Sequence, residues 1–275
     1  MFYENIKMGP IHADDINNAN CRLCSGTLIN RFSLSVLHKY NVRYYECEQC
    51  HSLQTEKPYW LDEAYKINLH YIDTGAAQRN LDNLAACYIV CKLFKIKNVI
   101  DIGGGDGLLC RLLRDYEINC FVKDKFAKPT YAQGFTEPDF KTPGLVIAFE
   151  VLEHFSYPKT DLDDLFRYNS GVILVSTLLY ANQEQDWWYY APEGGQHVFF
   201  YSKQALDYIT IKYDYRLFIC DTRIIFVKQE LLTPIKSFLL RFLLKGKICR
   251  LLKSVIVYLP TPGYWKDQVL IKSKD

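Results

Sequence analysis

Apolar and polar residues alternate through Thr27-Leu28-Ile29-Asn30-Arg31-Phe32, a pattern of period two that predicts short strands. A proline-containing connector, Lys57-Pro58-Tyr59-Trp60, leads into helical spacing from about Leu61 to Ile96. From Lys97 the pattern changes. Apolar runs at 98–102, 119–123, 145–149, 171–176, 216–220 and 223–228 predict strands. Stretches at 107–116, 161–168 and 202–212 predict helices, the second capped by Thr160. Strands and helices in alternation predict an α/β fold whose largely parallel sheet is covered on both faces. Near the C-terminus, Thr233-Pro234 reads as a cap followed by proline at the first helical position. An apolar run follows, in which Lys247, Arg250 and Lys253 share one face opposite Ile248, Leu252 and Val255. These changes of character divide the chain at 1–57, 58–96, 97–229 and 230–275.

Composition narrows the class. The 275 residues, 49% hydrophobic and 23% charged, suffice for an α/β core with a small accessory module. A net charge of +2 is too small to attract nucleic acid with the whole molecule. Met1 to Pro10 is charged and lacks an apolar signal region, and no apolar run reaches the roughly 18–20 residues of a membrane span. The expected compartment is the cytoplasm. The basic, apolar C-terminal helix has three options: the inner face of a membrane, the core, or a homodimer face.

Ten cysteines in such a chain point to metal ligands and buried thiols rather than a disulfide framework. Cys21-x-x-Cys24 and Cys47-x-x-Cys50, with 22 residues between them, can fold back so that four thiolates surround one Zn²⁺. Four thiolates leave no open coordination position, so the metal's part would be structural. Residues 21–50 carry only Arg22, Arg31, Lys39 and Arg43 as bases and no aromatic ladder, which argues against a nucleic-acid-binding ribbon.

The segment Val99-Ile100-Asp101-Ile102-Gly103-Gly104-Gly105-Asp106-Gly107 ends a strand in a glycine turn that opens a helix. Nicotinamide folds use such turns to hold a pyrophosphate. Asp101 and Asp106 would repel that group but suit a cationic amino-acid moiety. Asp124, ending the next strand, can accept hydrogen bonds from ribose hydroxyls. With Ala148-Phe149-Glu150-Val151-Leu152-Glu153-His154-Phe155, the pattern resembles class I S-adenosylmethionine-dependent methyltransferases over roughly residues 80–230. The resemblance implies a Rossmann-like, largely parallel seven-stranded sheet. It implies that Asp101, Gly103, Gly105 and Asp106 hold the methionyl part and Asp124 the ribose. Phe149, Glu150 and the Glu153-His154 pair would border the methyl donor. For the adenine side, Asp139 is the acid available.

The run Gln185-Asp186-Trp187-Trp188-Tyr189-Tyr190-Ala191-Pro192-Glu193-Gly194-Gly195-Gln196-His197-Val198-Phe199-Phe200-Tyr201 falls where such enzymes build the acceptor site. Its rings can stack on a sugar or pack the ribbon onto the core. His197 is the candidate general base, with Glu193 to orient it or replace it and His154 as the alternative base. This arrangement resembles sugar O-methyltransferases that pair a four-cysteine module with the same catalytic fold. Pro58-Tyr59-Trp60-Leu61 and Asp73-Thr74-Gly75 with Arg79 look like bacterial methyltransferases of surface-glycan synthesis, in which Arg79 would meet donor or substrate. The expected function is O-methylation of a sugar hydroxyl. The alternatives are methylation of another small molecule and NAD(P)-dependent oxidoreduction.

Overall fold

The structure is a computed structural model that describes residues 20–66 and 74–272. The alternating segment forms a hairpin, with β1 (Leu28–Val36) antiparallel to β2 (Tyr40–Cys47) and β3 (Leu53–Thr55) added beyond β2. Helical spacing from Leu61 resolves into α1 (Leu61–Ala64), a single turn, and α2 (Ala76–Phe94), which ends where Lys95 turns left-handed. Asp73 lies outside the described residues. The core follows as β4 (Asn98–Ile102), α3 (Leu108–Asp115), β5 (Asn119–Lys123), β6 (Leu145–Phe149), α4 (Pro158–Phe166) and β7 (Val172–Ser176). Then come β8 (Phe199–Phe200), α5 (Lys203–Tyr213), β9 (Arg216–Cys220) and β10 (Arg223–Val227).

Six strands form the core sheet in the order β5-β4-β6-β7-β10-β9. The first four are parallel, and β10 runs antiparallel to both β7 and β9. The fold is thus α/β and Rossmann-like, with six strands in this sheet among the described residues where seven were expected. Residues 125–144 form turns and bends and no strand, although the Phe135 carbonyl accepts from the Val122 N–H of β5 at 2.9 Å. Along β6 and β7 successive side chains face opposite layers. Leu145, Ile147, Val172 and Leu174 pack toward α2 and α3, while Val146, Ala148, Ile173 and Val175 pack toward α4 and α5. Burial on both faces explains why these strands are continuously apolar.

The second sheet, β1-β2-β3-β8, takes its last strand from the segment between β7 and α5 of the core domain. Leu53 pairs with Phe200 and Gln54 with Phe199. Ser202 caps α5 by accepting from the Ala205 N–H at 2.9 Å, and its hydroxyl also donates to the Cys50 carbonyl. Ser202→Ala is expected to cost about 1–2 kcal/mol, read from urea unfolding midpoints. Helix α4 starts earlier than the sequence implied. Pro158 presets the first turn and Asp161 Oδ2 accepts from the Tyr157 N–H at 3.1 Å, so Thr160 lies inside the helix and is not its cap.

Thr233 does cap the next helix, α6 (Pro234–Leu243), accepting from the Lys236 N–H at 3.2 Å. Two more helices complete the tail, α7 (Gly246–Ile256) and α8 (Gly263–Lys272). Leu240, Leu244, Cys249 and Ile256 are buried in the core cluster, and Lys253 pairs with Asp82 of α2 at 2.7 Å. Val255, expected opposite the basic face, is exposed. Helix α8 is pinned by Asp267, which accepts from Arg114 Nε and Nη2 and forms an ion pair with Arg111 Nη2, each at 2.7 Å. Burial opposes ionisation of Asp267, and these bonds outweigh it, holding its carboxyl below the usual range. Asp267→Asn should cost roughly 2–3 kcal/mol near neutral pH, and the loss should vanish as acid protonates the carboxyl in both states. Hydrogen exchange across α8 at two pH values checks this. Among the described residues, no helix is long and apolar enough to cross a membrane.

Candidate active site

The carboxyl ends of β4, β5, β6 and β7 lie along one edge of the sheet, since Ile102 is level with Lys123 and Phe149 with Ser176. The chain leaves β4 for β5 on one side and reaches β6 on the other, so a crevice opens at this switch point. The glycine turn crosses it. A Cβ on Gly104 would sit 2.5 Å from Asp101 Oδ2, so only glycine lets the turn close over that carboxylate. At Gly105, φ is +54° and a Cβ would meet no protein atom within 4 Å, so this backbone faces open space.

Asp101 is 2% exposed, and its Oδ2 has no hydrogen-bond partner among the described residues. Burial and the charge of Asp124 push its carboxyl up to about 8. Asp124 Oδ2 accepts from the Gly105 N–H at 2.9 Å, and Oδ1 accepts from Phe126 and Ala127 N–H, both at 2.8 Å. The acid therefore ties the glycine turn to the loop after β5. Asp106 is exposed in the turn, and Gly103 N–H donates to the Lys123 carbonyl at 2.7 Å.

On the other side of the crevice, Glu150 adopts a left-handed φ of +54°, a conformation costly for a residue with a Cβ. Ser176 holds it there. Its hydroxyl donates to Glu150 Oε1 at 2.5 Å, and it lies 3.1 Å from the Glu150 N–H as an acceptor. Phe149, next to it, packs against the core. A 3-10 turn, Leu152–His154, follows. Glu153 is wholly buried. Its Oε1 accepts from the Tyr189 hydroxyl at 2.8 Å, while Oε2 has no partner among the described residues. Burial and the charge of Glu150 raise its carboxyl to about 8. The His154 and His197 rings meet edge to face with centroids 5.0 Å apart. His197 Nδ1 lies 2.7 Å from the Tyr189 carbonyl, which can only accept, so the proton is on Nδ1 and Nε2 carries a lone pair. Burial lowers both histidines, His154 to about 3, so both are neutral near pH 7.

The ribbon holds this second wall in place. Val198, adjacent to His197, donates to the Glu153 carbonyl at 2.8 Å, and its own carbonyl accepts from Thr55 N–H at 3.1 Å and Arg22 at 2.6 Å. Trp60 Nε1 donates to the Gly195 carbonyl at 2.7 Å, and Gln196 donates to the Ala64 carbonyl at 3.1 Å. In the ribbon itself, the Cys21 and Cys50 sulfurs are 3.6 Å apart and those of Cys24 and Cys47 3.5 Å. All four lie within 4.8 Å of one another. That is far too long for disulfides and close to the ~3.8 Å sulfur spacing of a tetrahedral metal with ~2.3 Å bonds. The residues fit a four-thiolate site.

Several expected partners are not brought together. Glu193 is exposed in a turn, and the Tyr189 carbonyl, rather than Glu193, orients His197. Asp139 accepts from Asn119 at the amino end of β5, opposite the crevice, which removes it from the adenine side. Arg79 is exposed on the first turn of α2. The aromatic run is largely structural: Tyr189, Tyr190, Phe199, Phe200 and Tyr201 are buried, whereas Trp188 is 73% exposed. Sequence reasoning passed over Tyr65 and Phe126, which stack at 4.1 Å, with Tyr65 6.5 Å from His154. It passed over Ser176 as well. The only local signal was Phe126 two positions after Asp124.

Among curated proteins, none matches this chain. Solved structures similar to it include the magnesium protoporphyrin IX methyltransferase of Synechocystis PCC 6803 with bound S-adenosylhomocysteine. That match has 14% identity, covers 62% of this chain and 93% of that one, and has a TM-score of 0.44. An O-methyltransferase family protein from Burkholderia thailandensis is similar at 12% identity, 56% of each chain and a TM-score of 0.41. Human N-acetylserotonin methyltransferase in complex with S-adenosylmethionine is similar at 15% identity, 55% of this chain, 51% of that one and a TM-score of 0.39. A family model described as a methyltransferase domain matches residues 70–217, more than half of the sequence, and the chain belongs to that methyltransferase family.

Proposed function

We propose that this protein transfers a methyl group from S-adenosylmethionine to an oxygen of its acceptor, a sugar hydroxyl. One observation carries the donor assignment: Asp101, buried beneath the glycine turn with Oδ2 unpartnered, is an acid that a proton or an incoming hydrogen-bond donor, best a cationic one, satisfies. The ammonium end of the donor supplies that cation, and the open face of Gly105 leaves room for its approach. Asp124 uses three backbone N–H groups and keeps acceptor capacity for ribose hydroxyls. Bound donor would supply a methyl carbon activated by its sulfonium.

The chain's own residues do the rest. Glu150 stands at the carboxyl end of β7, held there by Ser176. His197, held as the Nδ1–H tautomer by the Tyr189 carbonyl, offers Nε2 to the acceptor's proton. Trp188 presents the exposed ring on which a sugar face can stack. Cys21, Cys24, Cys47 and Cys50 hold a structural Zn²⁺ whose ribbon fixes the strand after His197. The test begins with calorimetry of S-adenosylhomocysteine against NADH on the zinc-loaded protein. Binding of the first and not the second is expected, and the reverse overturns the reading. Labelled donor with free sugars, nucleotide-linked sugars and glycans should then give a product one methyl heavier. His197→Ala should abolish the product while donor binding persists.

A further inference from the structure

We propose that Glu153, His154 and His197 form a second metal site, for a divalent first-row transition cation, at the acceptor end of the crevice. One oxygen of Glu153 and one ring nitrogen of each histidine lie within 4.8 Å of one another. Donors around a first-row cation at ~2.1 Å stand up to ~4.2 Å apart, so small side-chain rotations close the set. What gathers there is a set of possible ligand atoms with few hydrogen-bond partners. His154 Nδ1 is buried without a partner, as is Glu153 Oε2, and His197 has its only proton committed to the Tyr189 carbonyl. A proton on Glu153 or a bound cation can satisfy such a set, and two imidazoles with one carboxylate are a donor set for Mn²⁺, Fe²⁺, Co²⁺ or Zn²⁺.

The surroundings are those of ligands braced for a metal. A metal-bound histidine commonly gives its other N–H to a carbonyl and a ligating carboxylate is itself hydrogen-bonded, which orients both. Tyr189 does both tasks here: its carbonyl takes His197 Nδ1–H, and its hydroxyl, 3.1 Å from Thr177 Oγ1, donates to Glu153. Three protein ligands leave an open position. The cluster differs in chemistry from the four thiolates of the ribbon, where the coordination shell is closed.

As a site, this proposal stands alone; its role rests on the methyl-transfer reading above. With the cation bound, His197 would give its Nε2 lone pair to the metal in place of the base role above, and coordination would make the acceptor hydroxyl acidic enough to lose its proton. The O–H bond breaks with its proton passing to water. The oxygen then bonds to the methyl carbon as the carbon–sulfur bond breaks, its electron pair returning to sulfur.

The experiment titrates Mn²⁺ and, separately, Co²⁺ into the zinc-loaded full chain. Free Mn²⁺ is read by electron paramagnetic resonance and bound Co²⁺ by visible absorption. One further cation per chain is expected, with affinity at least 10-fold weaker in His154→Ala and in Glu153→Gln. S-adenosylhomocysteine binding to the same samples reports the fold and the donor pocket. Donor-product binding with no second cation, or with a cation indifferent to both substitutions, overturns the metal site and leaves the methyltransferase reading intact. A second cation with no donor-product binding supports the site and sinks that reading instead.

Discussion

Asp101→Asn is expected to stabilise the ligand-free protein above neutral pH while weakening S-adenosylhomocysteine binding about 100-fold. The two effects have one origin. In the folded chain the carboxyl titrates near 8, against roughly 4 when unfolded, because burial and the Asp124 charge disfavour the anion. Folding then favours the protonated acid. Its contribution is full below about pH 4 and is lost as pH rises toward 8, since the unfolded chain ionises freely while the folded one resists. Asparagine keeps the shape and removes that penalty, so the thermal midpoint of the variant should exceed wild type at pH 8.5 and match it near pH 4. Binding reverses the balance. The ammonium of the ligand needs the anion, so wild-type binding near pH 7 should release a proton, seen as a dependence of calorimetric heat on the buffer's ionisation enthalpy. The variant should show no such dependence. Unchanged affinity in Asp101→Asn would place the cationic end of the ligand elsewhere.

Serine at Cys24 and Cys47 together is expected to lower methyl transfer about 1,000-fold, although neither residue lies at the crevice. The path is short. These cysteines fix the end of β2, β2 pairs with β3, and β3 pairs with β8 immediately after His197. The Thr55 N–H and Arg22 side chain hold the Val198 carbonyl, one residue from the imidazole. Loosening the ribbon frees that segment, and misplacement of a reacting group by about 1 Å costs about 100-fold by itself. Loss of the Tyr189 brace on the tautomer adds to it. Donor-product affinity should fall no more than a few fold, because Asp101, the glycine turn and Asp124 belong to the core sheet. Single-turnover rates and calorimetry on the same preparation separate the two. Equal losses of binding and rate would mean that the ribbon supports the whole fold rather than the acceptor wall.

Much of this was written in local pattern. Six core strands were legible because burial on both faces makes them continuously apolar, and the glycine turn with Asp101 because strand, turn and helix are contiguous. The four cysteines were legible because knuckle spacing is a local constraint, and their sulfurs do converge. Local pattern misplaced the start of α4, where Pro158 outweighs Thr160, while the seventh strand was expected from the family resemblance and not from local pattern.

What the chain could not say locally concerns groups far apart in sequence. Only tertiary structure decided that Tyr189, not Glu193, orients His197, and that Glu153, His154 and His197 meet. It alone showed that the aromatic run mostly packs, and that a ribbon strand pairs beside the acceptor wall. The physical reason is that periodicity and turn chemistry act over a few residues. The partner of a buried lone pair is chosen by how sheets and loops close on one another, and no short stretch of sequence carries that choice.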